Sequence, residues 1–206
     1  MANEKTLVKF NVKNAKYALP AADGWGTPVA FGTSKSIALE ADTSTKKLYG
    51  DGRVILTLVN DKGKTGTLTL NNICDEYEIA MKRKMKLAVG LADIKQTANV
   101  PHCLYFETDG ADDTGARITA KTWLYMVTST RPSESYEQDT DDINESSFDL
   151  PLTIAGLPIK TAEGEVYKEK GVEVYAWQTT VVPSDAEYDN FGDAVVLPTV
   201  PETTEA

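Results

Sequence analysis

His102 and Cys103 stand side by side, His102 is the only histidine of the chain, and Cys74 is the second thiol. A cysteine nucleophile needs a base within hydrogen-bond reach. In a strand, however, neighbouring side chains project to opposite faces, so His102 and Cys103 cannot form that dyad. Cys74 with His102 is the only geometric alternative, and nothing around either residue supports it. A zinc centre takes three or four His or Cys ligands, and three such residues with two adjacent make a poor set. Carboxylates cluster in "DGADDTG" (109–115) and "DTDD" (139–142), but neither follows the order of a calcium-binding loop; solvated turns are the default reading. "GDGRV" and "GKTG" lack the strand–loop–helix setting of a phosphate cradle. The bases Lys82, Arg83, Lys84 and Lys86 read as a solvated or interface-facing surface rather than a phosphate site. With no nucleophile elbow and no paired carboxylates, the expectation is a protein that is not an enzyme and carries no cofactor and no metal.

The 206 residues suffice for one domain, or a domain with an appendage. A hydrophobic content of 41% beside 25% charged residues fits a globular chain with its own core. Net charge is -10 and the isoelectric point lies near 4.7. That opposes nucleic-acid binding as an affinity function, which depends on cations displacing counterions from phosphate. Two cysteines are too few for a disulfide scaffold and are expected to be reduced, partly buried thiols. No segment has the apolar length of a signal-peptide core or a membrane span. The expected setting is a cytoplasm, unless the protein leaves as part of something larger.

Most segments read as strands. "KSIALEA" (35–41) alternates Ile37, Leu39 and Ala41 against Ser36, Ala38 and Glu40. "RVILTLVN" (53–60) and "TGTLTLN" (65–71), joined by "DKGK", read as a hairpin, and "GDG" as turn punctuation. "CLYFETD" (103–109), "ARITAKTWLYMVTST" (116–130), "SSFDLPLTI" and "GVEVYAWQTTVV" (171–182) complete the strands. One segment reads as a helix, 72–91: Tyr77, Met81, Met85 and Ala88 share a face, Asn72 is the expected N-cap and Gly90 the stop. That Met face is expected to pack on the sheet. From Pro183 onward three prolines and six acids occur without a base, so 183–206 is expected to be an acidic, mobile tail. The fold class is mainly β, a sandwich or barrel flanked by one α-helix, occupying 1–182.

Between Arg131 and Phe148 lie Glu134, Glu137, Asp139, Asp141, Asp142 and Glu145, with no Lys or Arg among them. Next to this loop, Phe148, Leu150, Leu152 and Ile154 alternate with polar or proline positions. The strand 116–130 carries Trp123 and Tyr125 against Leu124 and Met126, so both its faces are apolar and both need cover, from the core and from a partner or the helix. Strands with unpaired edges invite pairing with another copy. Tyr49, in "KKLYGDG" between two strands, is a candidate for contact with another copy or a local packing residue.

The order of several segments carries a resemblance. "NVKNAKYAL", "WGTPVAFGTSKSIALEADTSTKKLYGDGRV", "GTLTLNNICDEYEIAM", the run from "CLYFETDG" through "TWLYMVTSTRPSESYEQDTDDINESSFDLPLTI", and "GEVYKEKGVEVYAWQTTVV" follow one another. Over roughly residues 8–182 the chain resembles the major tail (tail tube) proteins of the phi13-type group, from siphophages and prophages of Gram-positive bacteria. The strength lies in the order, since no single motif is diagnostic, and the segment after 182 has no match in the pattern. The resemblance implies a tail-tube-type β-sandwich or barrel that self-assembles into stacked hexameric rings, a tube through which DNA passes without specific binding. It also implies a place in the virion, and as partners the tape measure, tail tip and tail terminator proteins, with no membrane. Tyr49, Trp123 and Tyr125 are then the inter-subunit contact candidates, and the acidic loop a non-adhesive surface in the bore or outside. The competing reading is a monomeric immunoglobulin-like, carbohydrate-binding or virion decoration module.

Overall fold

A computed structural model describes residues 8–111, 115–136 and 147–200. Its long elements are β1 (Val8–Ala18), β2 (Ser34–Gly50), β3 (Arg53–Leu70), α1 (Asp75–Ala80), β4 (Lys84–Lys86), β5 (Leu91–Asp93), β6 (His102–Ala111), β7 (Arg117–Ser129), β8 (Ser147–Ile154) and β9 (Gln178–Val181). The main sheet is antiparallel in the order Val29–Ala30, β1, β6, β7, β8, β3, β2. The first half of β7 also pairs with β9, and Ser133–Ser135 pairs with β8. The sheet curls until β1 and β2 face each other across a groove of about 400 Å³, lined in part by Phe10, Val12, Ile37 and Phe106. It is a barrel left open along one seam, and the expected mainly β class holds, with a single α-helix among the described residues.

Alternation builds two cores. Leu104, Phe106, Leu124, Leu150, Leu152 and Ile154 point inward with Leu68, Leu70, Tyr17 and Phe31, and Tyr77 of α1 with Met81 at its C-cap plug that space. The intervening residues Cys103, Tyr105, Trp123 and Tyr125 point the other way into a second cluster with Ala18, Val181 and Phe191. Met126 at φ 50° sits in a bulge of β7, which is why Leu124 and Val127, three apart, face the same core.

Three expectations require correction. "DKGK" is not a turn: β3 runs unbroken through it, because β2 pairs with both halves, Thr43 with Asp61 and Ala41 with Lys64. Gly63 marks an irregularity there, at φ 117°, where a Cβ would come within 2.4 Å of the Ile154 carbonyl oxygen. The actual turn is Asp51-Gly52, both at positive φ (51° and 74°), as a type I′ hairpin turn demands. The helix expected over 72–91 spans only Asp75–Ala80, with Cys74 rather than Asn72 at its N-cap. Lys82 turns left-handed (φ 56°) and the chain leaves as the β4–β5 hairpin, so Met81 is buried while Met85 and Ala88 are exposed.

The tail expected to be mobile from 183 is packed through residue 200. Phe191 is buried, Trp123 Nε1 donates to its carbonyl (2.7 Å), and Tyr125 Oη donates to Val196 O (2.6 Å). Lys121 Nζ reaches Tyr188 O (2.7 Å) and Lys16 Nζ reaches Gly192 O (3.0 Å). The acids that made this stretch look disordered face water while its main chain satisfies the sheet's donors. Residues 201–206 lie outside the described residues. The segment 171–182 appears as the short pieces Val172–Glu173, Tyr175–Ala176 and β9.

Because Phe191 fills the second core, Phe191→Ala is expected to lower unfolding free energy by about 3–4 kcal/mol. Urea titration at an unchanged slope checks this; a loss near zero would mean that the segment contributes no packing.

Candidate assembly surfaces

β3 outruns its second neighbour. Residues 64–70 are held between β2 and β8, whereas 53–61 pair with β2 alone. The distal ribbon, from Thr43 round the turn to Asn60, is an arm with almost every residue exposed on both faces. Cross-strand partners share a face, so Leu48 with Leu56 and Lys46 with Leu58 form one side, and Lys47 with Thr57 and Thr45 with Val59 the other. Tyr49 (69% exposed), Ile55 (67%) and Val59 (68%) stand most fully in water. The arm takes this form because Leu and Val recur in "VILTLV" with both parities, and the Asp-Gly turn fixes the register.

At the other end of β3, α1 leads into the β4–β5 hairpin, whose turn spans 87–90 with Leu87 N bonded to Gly90 O (2.9 Å). Met85, Leu87, Val89 and Leu91 are exposed on this knob, Val89 to 92%.

A buried polar network ties the knob down. Arg83, wholly buried, donates through Nη2 to Glu78 Oε1 (2.8 Å) and through Nη1 to Thr130 O (2.5 Å) and Ser129 Oγ (3.3 Å). Tyr77 Oη lies 2.7 Å from Ser129 Oγ and 3.2 Å from His102 Nε2, and His102 Nδ1 lies 3.2 Å from Val100 O. A carbonyl only accepts, so Nδ1 carries the ring proton. Nε2 then accepts from Tyr77, which accepts from Ser129, which accepts from Arg83. The Arg83 guanidinium also lies over the Tyr77 ring, 5.2 Å from its centroid. Arg83 Nε has no hydrogen-bond partner among the described residues. Arg131 completes the clamp, donating to Ile94 O (2.6 Å) beside an ion pair with Asp93 (3.4 Å).

The sequence candidates fall out differently. Tyr49 sits beside the arm's turn, opposite Val54, and is free to contact a partner. Trp123 and Tyr125 do not serve that purpose: both are fully buried under residues 183–200 of their own chain. Glu134 is exposed and accepts from Tyr136 Oη (2.8 Å); Glu137, Asp139, Asp141, Asp142 and Glu145 lie outside the described residues. Arg83 is no member of a solvated basic surface but the anchor of the knob. His102 faces the first core and Cys103 the second, as the strand argument requires. Asp109 binds Lys13 Nζ (2.6 Å), Asn11 and Thr119, which hold its carboxyl down at about 2. Sequence reading missed the arm, the knob and the network, since "VILTLV" and "MKLAVGL" look like core until their neighbours are known.

Burial, opposed by the hydrogen bond to the Val100 carbonyl and helped to a smaller degree by the Arg83 charge, lowers His102 from 6.5 to about 4. The unfolded chain therefore takes this proton near 6.5 and the folded chain only near 4, so stability is lost as pH falls through that window. Burial raises the Glu78 carboxyl despite Arg83, which acts in the opposite sense. Comparing wild type with His102→Gln cancels the Glu78 contribution. Wild type is expected to lose about 2–3 kcal/mol more than the variant between pH 7 and pH 4, read by denaturant titration; parallel pH profiles would refute the neutral, buried imidazole.

No protein-family model and no curated protein matches the chain. Among solved structures it is weakly similar to a chain in the 6-fold symmetrised cryo-EM structure of the anti-feeding prophage baseplate. The TM-score is 0.34 at 8% identity, over 69% of this chain and 89% of that one. It is similar to the same degree to a chain of the anti-feeding prophage tube-terminating cap, with TM-score 0.34 and 15% identity over 75% and 98%.

Proposed function

We propose that this chain is a structural virion protein that assembles with copies of itself into stacked hexameric rings, the tail tube of a long non-contractile phage tail. It works without catalysis. The observation that carries the reading is the arm: a two-stranded ribbon is marginal by itself in water, and an exposed apolar surface of this extent marks an interaction site. The ordered resemblance to tail tube proteins supplies the type of assembly. Heterologous contacts that close by rotation make rings, and those that repeat by translation stack them.

On this reading the tube conducts DNA during ejection without holding it. Six copies at -10 each carry a formal -60, and with screening over about 8 Å in physiological salt that charge prevents adhesion without raising a long-range barrier. The acidic loop at 134–145 belongs to such a non-adhesive surface. Tape measure, tail tip and tail terminator proteins are the partners that would set length and ends, with assembly in the host cytoplasm.

The seam groove favours one competitor, a monomeric binding module. It offers Phe10, Phe106 and Gln178 to a ligand, and a protein that stays monodisperse with tail-tip seeds and is stabilised by soluble glycans would select it.

The test of the main reading is Ile55→Glu with Val59→Glu. Both side chains already stand in water, so the melting temperature is expected to stay within about 2 °C, consistent with surface changes of about 0.5 kcal/mol. Tube yield by negative-stain microscopy is expected to fall at least about ten-fold, equivalent to about 1.4 kcal/mol per contact. Tubes of normal number and length from this variant would overturn the role of the arm.

A further inference from the structure

Two apolar protrusions occupy the two ends of one strand. The arm turns at Asp51-Gly52, just before β3 begins at Arg53; the knob follows the other end of β3, Leu70, by way of the short helix α1. Eighteen residues of strand separate them, roughly 55–60 Å at about 3.3 Å per residue. We infer that the β4–β5 knob is the receptor for the arm of a second copy of this chain, stacked along the direction of β3. The inference rests on the self-assembly reading and names the surface it left open.

Area supports the pairing. At about 150–230 Å² for a fully exposed aliphatic or aromatic residue, the arm's apolar side chains at their observed exposures present roughly 700 Å² and the knob's roughly 400 Å². Together they come to about 1,100 Å², just above the roughly 1,000 Å² that a specific interface should clear. A contact between opposite ends of one subunit is heterologous and leaves the far end of each partner free to repeat it, so it propagates axially and cannot terminate as a closed dimer. The knob is also suited to receive. Arg83 and Arg131 lock its base to Ser129, Thr130 and Asp93, so a partner docks on a rigid element and loses little freedom of the receptor. Val89, at its tip, is 92% exposed and makes no contribution to the core that its loss would disturb.

The test uses full-length chains in a Cys74→Ser background, since the remaining thiol, Cys103, is buried. One population carries Tyr49→Cys and another Val89→Cys; both are mixed, assembled on tail-tip seeds and oxidised. A disulfide-linked dimer is expected in assembled mixtures at least ten-fold above the unassembled mixture and above either population alone. In parallel, Val89→Asp is expected to melt as wild type does and to lose at least ten-fold in tube yield, while Val172→Asp, 69% exposed elsewhere, loses nothing. Normal tubes from Val89→Asp, or tubes without the cross-link, would overturn the knob as receptor and leave the self-assembly reading intact. A wild-type chain that forms no tubes under any seeding would overturn that reading and this inference with it.

Discussion

The structure depends on a mismatch of length. β3 has 18 residues, and only the seven from Lys64 to Leu70 find β8 on their second side. β2 follows β3 all the way because the two share one turn, so the surplus becomes a ribbon rather than a frayed end. Hydrogen bonds within the ribbon satisfy the inner edges but leave its apolar side chains and outer edges to water. The ribbon from Thr43 to Asn60 is therefore a surface that no other described residues cover. The barrel lies on one side of that limit and the exposed ribbon on the other.

A second constraint sets the opposite end. A buried guanidinium is costly unless paired and hydrogen-bonded, and Arg83 meets the need with Glu78, Ser129 and Thr130. Those partners come from the helix and from the end of β7, so the charge can be buried only if the chain turns out of the helix directly after Met81. The left-handed Lys82 and the abrupt start of β4 follow from this. Leu, Ile or Met at 83 could pack there, but would not dictate a direction; the fork of donors does. The neutral His102, reached through Tyr77 and Ser129, orients the last members of the same chain of donors.

Strand existence was legible in the sequence, and strand fate was not. The alternation in "SSFDLPLTI" delivered β8 with Leu150, Leu152 and Ile154 buried as expected. The opposition of His102 and Cys103 also held. The helix was over-read because Tyr77, Met81, Met85 and Ala88 keep a helical period that the pull on Arg83 overrides. "DKGK" misled because a glycine inside a strand and a glycine in a turn look alike until the partner strand is known. The tail was misjudged on composition, which counts side-chain charge, whereas main-chain carbonyls anchored it. Of the proposed contact residues, Tyr49 stands exposed beside its turn, while Trp123 and Tyr125 do need a second cover, which residues 183–200 supply rather than a partner or the helix.

That last error exposes a general ambiguity. β7 and the arm have the same signature, apolar residues on both faces, and the same requirement for two covers. β7 receives both from its own chain, the first core on one side and residues 183–200 on the other. The arm receives neither from the described residues. What separates them is position: the chain after β9 folds back over Trp123 because β7 lies mid-sheet beside it, whereas the arm extends past the end of β8 with β2 as its one strand neighbour among the described residues. Local pattern states how much cover a strand needs; only topology states whether the same molecule can supply it. Where it cannot, the strand keeps an unmet need for burial, which on the proposed reading a second copy meets with the surface at its other end.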